Sequence, residues 1–101
     1  MGKKYQYILV HRSLRDYPGA LACQVAHAAS AMPAPDAWAA ALIVETAEKM
    51  RQLQRQFVAE GVGSYLVLEP DPPYNGSPTV LVTAPVERER VAHLLSGLDL
   101  L

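Results

Sequence analysis

A single cysteine, Cys23, excludes an internal disulfide and fits a reducing, cytoplasmic setting. On a helix of small residues it is expected to be a buried hydrophobe rather than a reactive thiol. Long apolar runs are also lacking. The stretch 38–44, WAAALIV, falls well short of the roughly 20 residues that span a bilayer, so no membrane segment is expected. The start, MGKKYQYILV, has neither the apolar region nor the small-residue cleavage site of a secretory signal. Gln6 stands where a myristoylation signal needs Ser or Thr, so acylation is not expected either. An excess of one charge is missing as well: 9 Lys plus Arg face 10 Asp plus Glu, for a formal net charge of −1. That balance excludes a global electrostatic footprint for nucleic acid and leaves any RNA binding local, weak and salt-sensitive. His11, His27 and His93 are too dispersed in sequence to form a metal set with Cys23, and metal binding is not expected. Internal repeats and low-complexity tracts are absent.

What remains is an ordinary globular composition, 50% hydrophobic and 19% charged over 101 residues, large enough for one core and read as one domain, 1–101. Residues 5–10 are rich in aromatic and β-branched side chains and become continuously apolar, the signature of a strand entering a covered sheet, which runs to about His11. Asp16-Tyr17-Pro18-Gly19 is a turn, and an Ala-rich helix follows over 18–31 until Pro33 and Pro35 break it. The next segment reads as a short helical turn over 37–40, a strand over 41–45 and, after Thr46 as N-cap, a helix over 47–60. Met50, Leu53, Phe57 and Val58 form its apolar stripe and Gly61 closes it. Strands at 64–69 and 79–83 flank the loop EPDPPYNGSP, and a helix over 86–95 has Glu87 and Glu89 in its first turn. The order predicts an α/β fold, a four-stranded mixed sheet with helices packed on it in layers, burying Trp38, Leu42, Phe57 and Leu81. Lys3, Lys4, Arg12 and Arg15 precede the first acid, Asp16, as a local basic patch or as solvated charge near a terminus and a strand end.

One short run poses a chemical question. In CQVAHAAS, Gln24 and His27 stand three apart on a helix of small apolar residues, as satisfied core polars or as the lining of a site. Gln24 has donors and an acceptor to hold a carbonyl or a water, or to tie the loop after the third strand to the helix. His27, a turn deeper among alanines, is expected as a neutral imidazole satisfied by a backbone carbonyl. Ser30, three residues beyond His27, lacks the strained turn that activates a serine nucleophile.

Strand, turn, Gly19 and then Gln24-Val25-Ala26-His27-Ala28 resemble the type-two peptidyl-tRNA hydrolases, the archaeal and eukaryotic class. The resemblance continues at Trp38, through 42–60, at Gly63-Ser64-Tyr65-Leu66-Val67, at Gly76 to Leu81 with Thr79 in the middle, and at the closing Gly97-Leu98-Asp99-Leu100-Leu101. It implies a cytoplasmic homodimer that hydrolyses the ester between peptide and tRNA without metal or cofactor, with peptidyl-tRNA as its partner. It places Gln24, preferred on this ground as a site-lining residue, with Glu69 and Thr79 at the reaction centre, and His27 as a helper to the first helix's packing or polar network. His27, Arg12, Arg15 and Asp71 are expected as the substrate-binding set, the arginines as cations that can reach the same pocket. The family's lysine falls on Ala20 and its neighbouring basic position on Pro18, while its aspartate becomes Glu69 and the following loop becomes the shorter Pro70-Asp71-Pro72-Pro73-Tyr74. Ester hydrolysis needs a positioned water, a donor for the developing oxyanion and a group that manages protons. Ala20 supplies none of these. Glu69 can orient a water, and Asp71, in an extended proline-spaced stretch, is expected on the same side, either as a paired carboxylate or as a second solvated loop acid. Two readings follow: a divergent hydrolase, or a catalytically silent binding or dimerising module on the same scaffold.

Overall fold

The aromatic and β-branched run after Lys4 becomes the centre of the sheet. In the computed structural model, which describes residues 3–101, strand β1 (Lys4–His11) pairs in parallel with β2 (Trp38–Val44). Strands β3 (Ser64–Glu69) and β4 (Ser77–Thr83) pair antiparallel, and β4 lies antiparallel to β1 on its other side. A two-residue strand, β5 (Val86–Glu87), pairs with the start of β1. The spatial order is β2-β1-β4-β3, a mixed α/β sheet as expected, with β5 as a fifth strand. Met1 and Gly2, on which the acylation reading rests, lie outside the described residues.

Helices cover both faces, so β1 is buried on both sides. Ile8 and Val10 pack with Val67, Val80, Val82 and Ala28 of helix α1 (Pro18–Ala31). Tyr7 and Leu9 point the other way, into a core with Met50, Leu53 and Phe57 of α2 (Ala47–Ala59) and Val91 of α3 (Arg88–Leu95). The ends of α2 form as the sequence predicts. Thr46 accepts a hydrogen bond from the Lys49 N–H at 3.0 Å. Gly61, at φ +75°, lets the Gly61 and Val62 N–H groups return to the Val58 and Phe57 carbonyls, and Val62 closes over Phe57 in the same core. No helix among the described residues is long and apolar enough to cross a membrane.

Several expectations are corrected. Residues 38–40 are strand, not a helical turn: they pair with Tyr5, Gln6 and Tyr7, and this parallel ladder overrides the helix propensity of the alanines. Trp38 is therefore at the start of β2 and is 59% exposed rather than buried, its ring beneath the Lys3 ammonium at 4.6 Å. Leu42, Phe57 and Leu81 are buried as expected. Val86 and Glu87 form β5, and α3 starts only at Arg88 with Glu87 as its N-cap. Val58 is exposed because the inward stripe of α2 runs through Met50, Leu53 and Phe57, and position 58 lies about 100° round from Phe57. On α1 the inward stripe runs through Leu21, Gln24, Val25 and Ala28, which leaves both Cys23 and His27 exposed. The terminal segment lies along the outer edge of β2: the Ile43 N–H donates to the Asp99 carbonyl at 2.8 Å, and the Leu101 N–H to that of Ala41 at 3.0 Å.

Candidate active site

Three side chains from three elements meet on the α1 side of the sheet. Gln24, only 8% exposed, sits at the second turn of α1, where a purely apolar stripe would place a hydrophobe. Its amide bridges two strands: the Thr79 hydroxyl donates to Gln24 Oε1 at 2.7 Å, while Gln24 Nε2 donates to Glu69 Oε2. The other oxygen of Glu69 accepts the Asp71 backbone N–H at 3.0 Å. Gln24, Thr79 and Glu69 thus form one continuous hydrogen-bonded line, with the fully buried Thr79 at its inner end and the half-buried Glu69 at its outer end.

Thr79 reaches this line because β4 is irregular there. Val67 pairs with Val80 and Leu68 with Pro78, so Thr79 is the extra residue of a bulge. Its neighbour Val80 already packs on the α1 side, and strict alternation would send Thr79 to the opposite face; the bulge puts both on one side. Glu69 needs no such device, since it lies two residues from Val67 on the same face.

The loop after Glu69 folds as a turn and is not extended. The Tyr74 and Asn75 N–H groups donate to the Asp71 carbonyl, and the Gly76 N–H returns to the Glu69 carbonyl at 2.7 Å. Asn75 (φ +48°) and Gly76 (φ +90°) supply the left-handed backbone that leads into β4. Asp71 therefore meets Glu69 through its N–H, and the extended arrangement expected to align the two carboxylates is not formed. Among the described residues no group of three or more His, Cys, Asp and Glu side chains is arranged to hold a metal ion.

The remaining expected site residues are spread around this line. Ala20 is exposed one turn before Gln24, and His27 is exposed about one turn beyond it. Arg12 and Arg15 lie on a 3₁₀ turn over Arg12–Asp16, along a groove of about 350 Å³ shared with His11, Ser13, Asp16 and Glu45. Arg12 pairs there with Glu45 at 3.3 Å, an exposed ion pair of small energetic weight. A second concavity, about 340 Å³, lies on the opposite face between Tyr5, Tyr7, Arg88 and Leu100 and contains none of these residues. Burial there pushes the Tyr7 phenol above its usual value, with Arg88 opposing the shift.

Sequence reasoning missed a second polar cluster. At the end of β1, His11 Nδ1 accepts the Ser13 N–H at 3.2 Å and lies 2.8 Å from Ser13 Oγ, which shares a 2.5 Å hydrogen bond with the hydroxyl of Tyr74. Burial holds the His11 imidazole below its usual pKa, with Glu45 pulling the other way. His-x-Ser after a strand is the signal that was available, but its partner lies 61 residues on from Ser13 and has no local signature. Gln6 was also unmarked. It is buried in β1 and donates to the Met32 carbonyl at 2.6 Å, satisfying the C-terminal end of α1.

Chemically, the line holds a carboxylate with spare acceptor capacity beside a neutral amide donor, a set suited to binding a water or a carbonyl. Comparison with curated proteins gave no match. Comparison with protein families matched residues 4–101, nearly the whole sequence, to Peptidyl-tRNA hydrolase PTH2. With the expected α/β scaffold formed and the match running from β1 to the final residue, the chain belongs to the peptidyl-tRNA hydrolase PTH2 family.

Proposed function

We propose that the chain hydrolyses the ester that links a peptide to tRNA, with Glu69 as the group that orients and deprotonates the attacking water. The observation that carries this reading is the convergence of Gln24, Thr79 and Glu69 in one hydrogen-bonded line within a chain of this family. A carboxylate has about four lone-pair sites, and Gln24 and Asp71 occupy two of them, so Glu69 keeps capacity for a water. In this reading Glu69 takes a proton as the water oxygen bonds to the ester carbonyl carbon. The carbon–oxygen bond to the ribose then breaks, and the ribose oxygen leaves with the proton. The second Nε2 hydrogen of Gln24 is the neutral donor for the carbonyl oxygen as it gains charge, and Thr79 fixes the amide's orientation. Arg12, Arg15, His27 and Asp71, all exposed, form the outer substrate-binding set. The same reading takes the partner to be peptidyl-tRNA, the compartment to be the cytoplasm and the working form to be a one-domain homodimer, each resting on family membership.

A second reading, a silent binding module, is favoured by one observation. Position 20, one turn before Gln24, carries an exposed alanine, which brings no positive charge to an oxyanion. The deciding experiment is peptidyl-tRNA turnover by the wild type, by Ala20→Lys and by Ala20→Lys with Gln24→Ala. A well-placed donor is worth roughly 2.7–4 kcal/mol, so Ala20→Lys is expected to raise a slow wild-type rate by up to about a hundredfold, and Gln24→Ala to remove the gain. A folded Ala20→Lys variant with no activity, beside an inactive wild type, favours the binding module. A fast wild type refutes the inference drawn from Ala20.

A further inference from the structure

The loop that follows Glu69 is unusual in what it can donate. Pro70, Pro72 and Pro73 have no N–H, so in 70–73 only the Asp71 peptide can hydrogen-bond a carboxylate through the backbone. That N–H is the one on Glu69 Oε1. The orientation of this single peptide decides whether Glu69 keeps a second fixed donor besides Gln24.

Asp71 is held on its other side, through the next peptide unit, by Tyr74 and Asn75, whose N–H groups donate to the Asp71 carbonyl at 3.0 and 3.1 Å. Residues 70–73 and 75–76 are exposed, whereas Tyr74 is half-buried, packed against the α1-side core and edge-on to the His11 ring at 6.2 Å between centroids. Its hydroxyl is locked to Ser13, and Ser13 in turn to His11. Because His11 Nδ1 accepts the Ser13 N–H, it is the unprotonated ring nitrogen, and the hydroxyls order themselves with Tyr74 donating to Ser13 and Ser13 to His11. A continuous chain of contacts therefore runs from His11 through Ser13, Tyr74 and the backbone of Asp71, by its carbonyl on one side and its N–H on the other, to the Glu69 carboxylate.

We infer that Tyr74, anchored by Ser13 and His11, is a positioning residue that aims the Glu69 carboxylate through the backbone of Asp71. This rests on the proposed role of Glu69. The hydroxyl is the informative group, since the ring alone fills the same space against the core. Tyr74→Phe keeps that packing and releases the anchor.

The test combines kinetics with solution spectroscopy on the full chain. In Tyr74→Phe, the Asp71 amide is expected to exchange with solvent about tenfold faster and the Gln24 side-chain amide resonances to move. The kcat for peptidyl-tRNA is expected to fall by about tenfold with KM changed less than about twofold, the pattern of a lost transition-state alignment and not of lost binding. Ser13→Ala is expected to reproduce these changes and Ser13→Thr, which retains a hydroxyl, to largely restore them. An unmoved Asp71 amide in a folded Tyr74→Phe variant overturns the inference, and so does a moved amide with unchanged kcat. If Tyr74→Phe does not fold, Ser13→Ala with the same readouts decides. An inactive wild type refutes the hydrolase reading alone, and the Asp71 and Gln24 resonances still decide the positioning.

Discussion

Gln24→Ala removes one side chain and orphans two partners with different access to water. The Thr79 hydroxyl is fully buried, and its one alternative acceptor among the described residues is the Val67 carbonyl at 3.5 Å, the outer limit of a useful hydrogen bond. Leaving such a hydroxyl unsatisfied costs about 1–3 kcal/mol. Glu69 is half-buried and recovers part of its solvation from water, so it contributes less. The one buried methylene removed, Cγ, adds about 0.8 kcal/mol. The total is a destabilisation of about 2–4 kcal/mol, enough to lower Tm by on the order of 10 °C or more in a chain of this size. Chemical denaturation followed by circular dichroism gives the value for the single variant. A double-mutant cycle gives its origin: Thr79→Val removes the orphaned hydroxyl, so Gln24→Ala should cost about 1 kcal/mol less in the Thr79→Val background than in the wild type. Additive effects, or a Gln24→Ala change below about 0.5 kcal/mol, refute the claim that this amide is the buried partner of Thr79.

Phe57, fully buried and in contact with the Val62 closure of α2, should cost about 3–5 kcal/mol when replaced by alanine, measured by the same denaturation. For pH, the His11 imidazole is held below its ordinary value by burial, so the unfolded chain binds the extra proton first. Its contribution to stability is complete above the ordinary histidine pKa near about 6.5 and is lost as pH falls through the lower folded value. His11→Gln should flatten this acid-side decline, and an unchanged slope between wild type and variant refutes it. Binding of tRNA, with 9 cations set against 10 anions and Arg12 already paired to Glu45, should be weak and should vanish as salt rises from about 50 to about 200 mM. Tight binding that is indifferent to salt contradicts this.

The elements were legible wherever local chemistry fixes them. Thr46 and Gly61 mark the ends of α2, Pro18 starts α1, and the β-branched run 8–10 announces a doubly covered strand. Misreadings fell where a distant partner decides. The alanines of β2 are strand only because β1 offers them a ladder, and Trp38 is exposed because that ladder begins at its own position. The meeting of Gln24, Glu69 and Thr79 was anticipated through the family resemblance alone, because the bulge that turns Thr79 inward leaves no mark in the alternation of β4. Tyr74 was invisible for a related reason. Its hydroxyl matters only once the turn of 71–76 has brought it across to Ser13.

The place of β1 at the centre of the sheet also sets when this chain can fold. This strand, synthesised before the others of its sheet, takes its neighbours from residues 38–44, 80–82 and 86–87, so its two flanks close over very different stretches of chain. Pairing with β2 closes a loop that contains only the 3₁₀ turn and α1, whereas pairing with β4 must wait for β2, α2 and β3 as well and carries the larger entropy of closure. Until β4 emerges, Leu9 and Phe57 lack Leu81, and Val10 lacks Val80. A nascent chain ending before Ser77 therefore presents an apolar, half-paired β1 to its surroundings, a target for chaperones or for association with other unfinished chains. Synthesis of β4 is what ends that exposure.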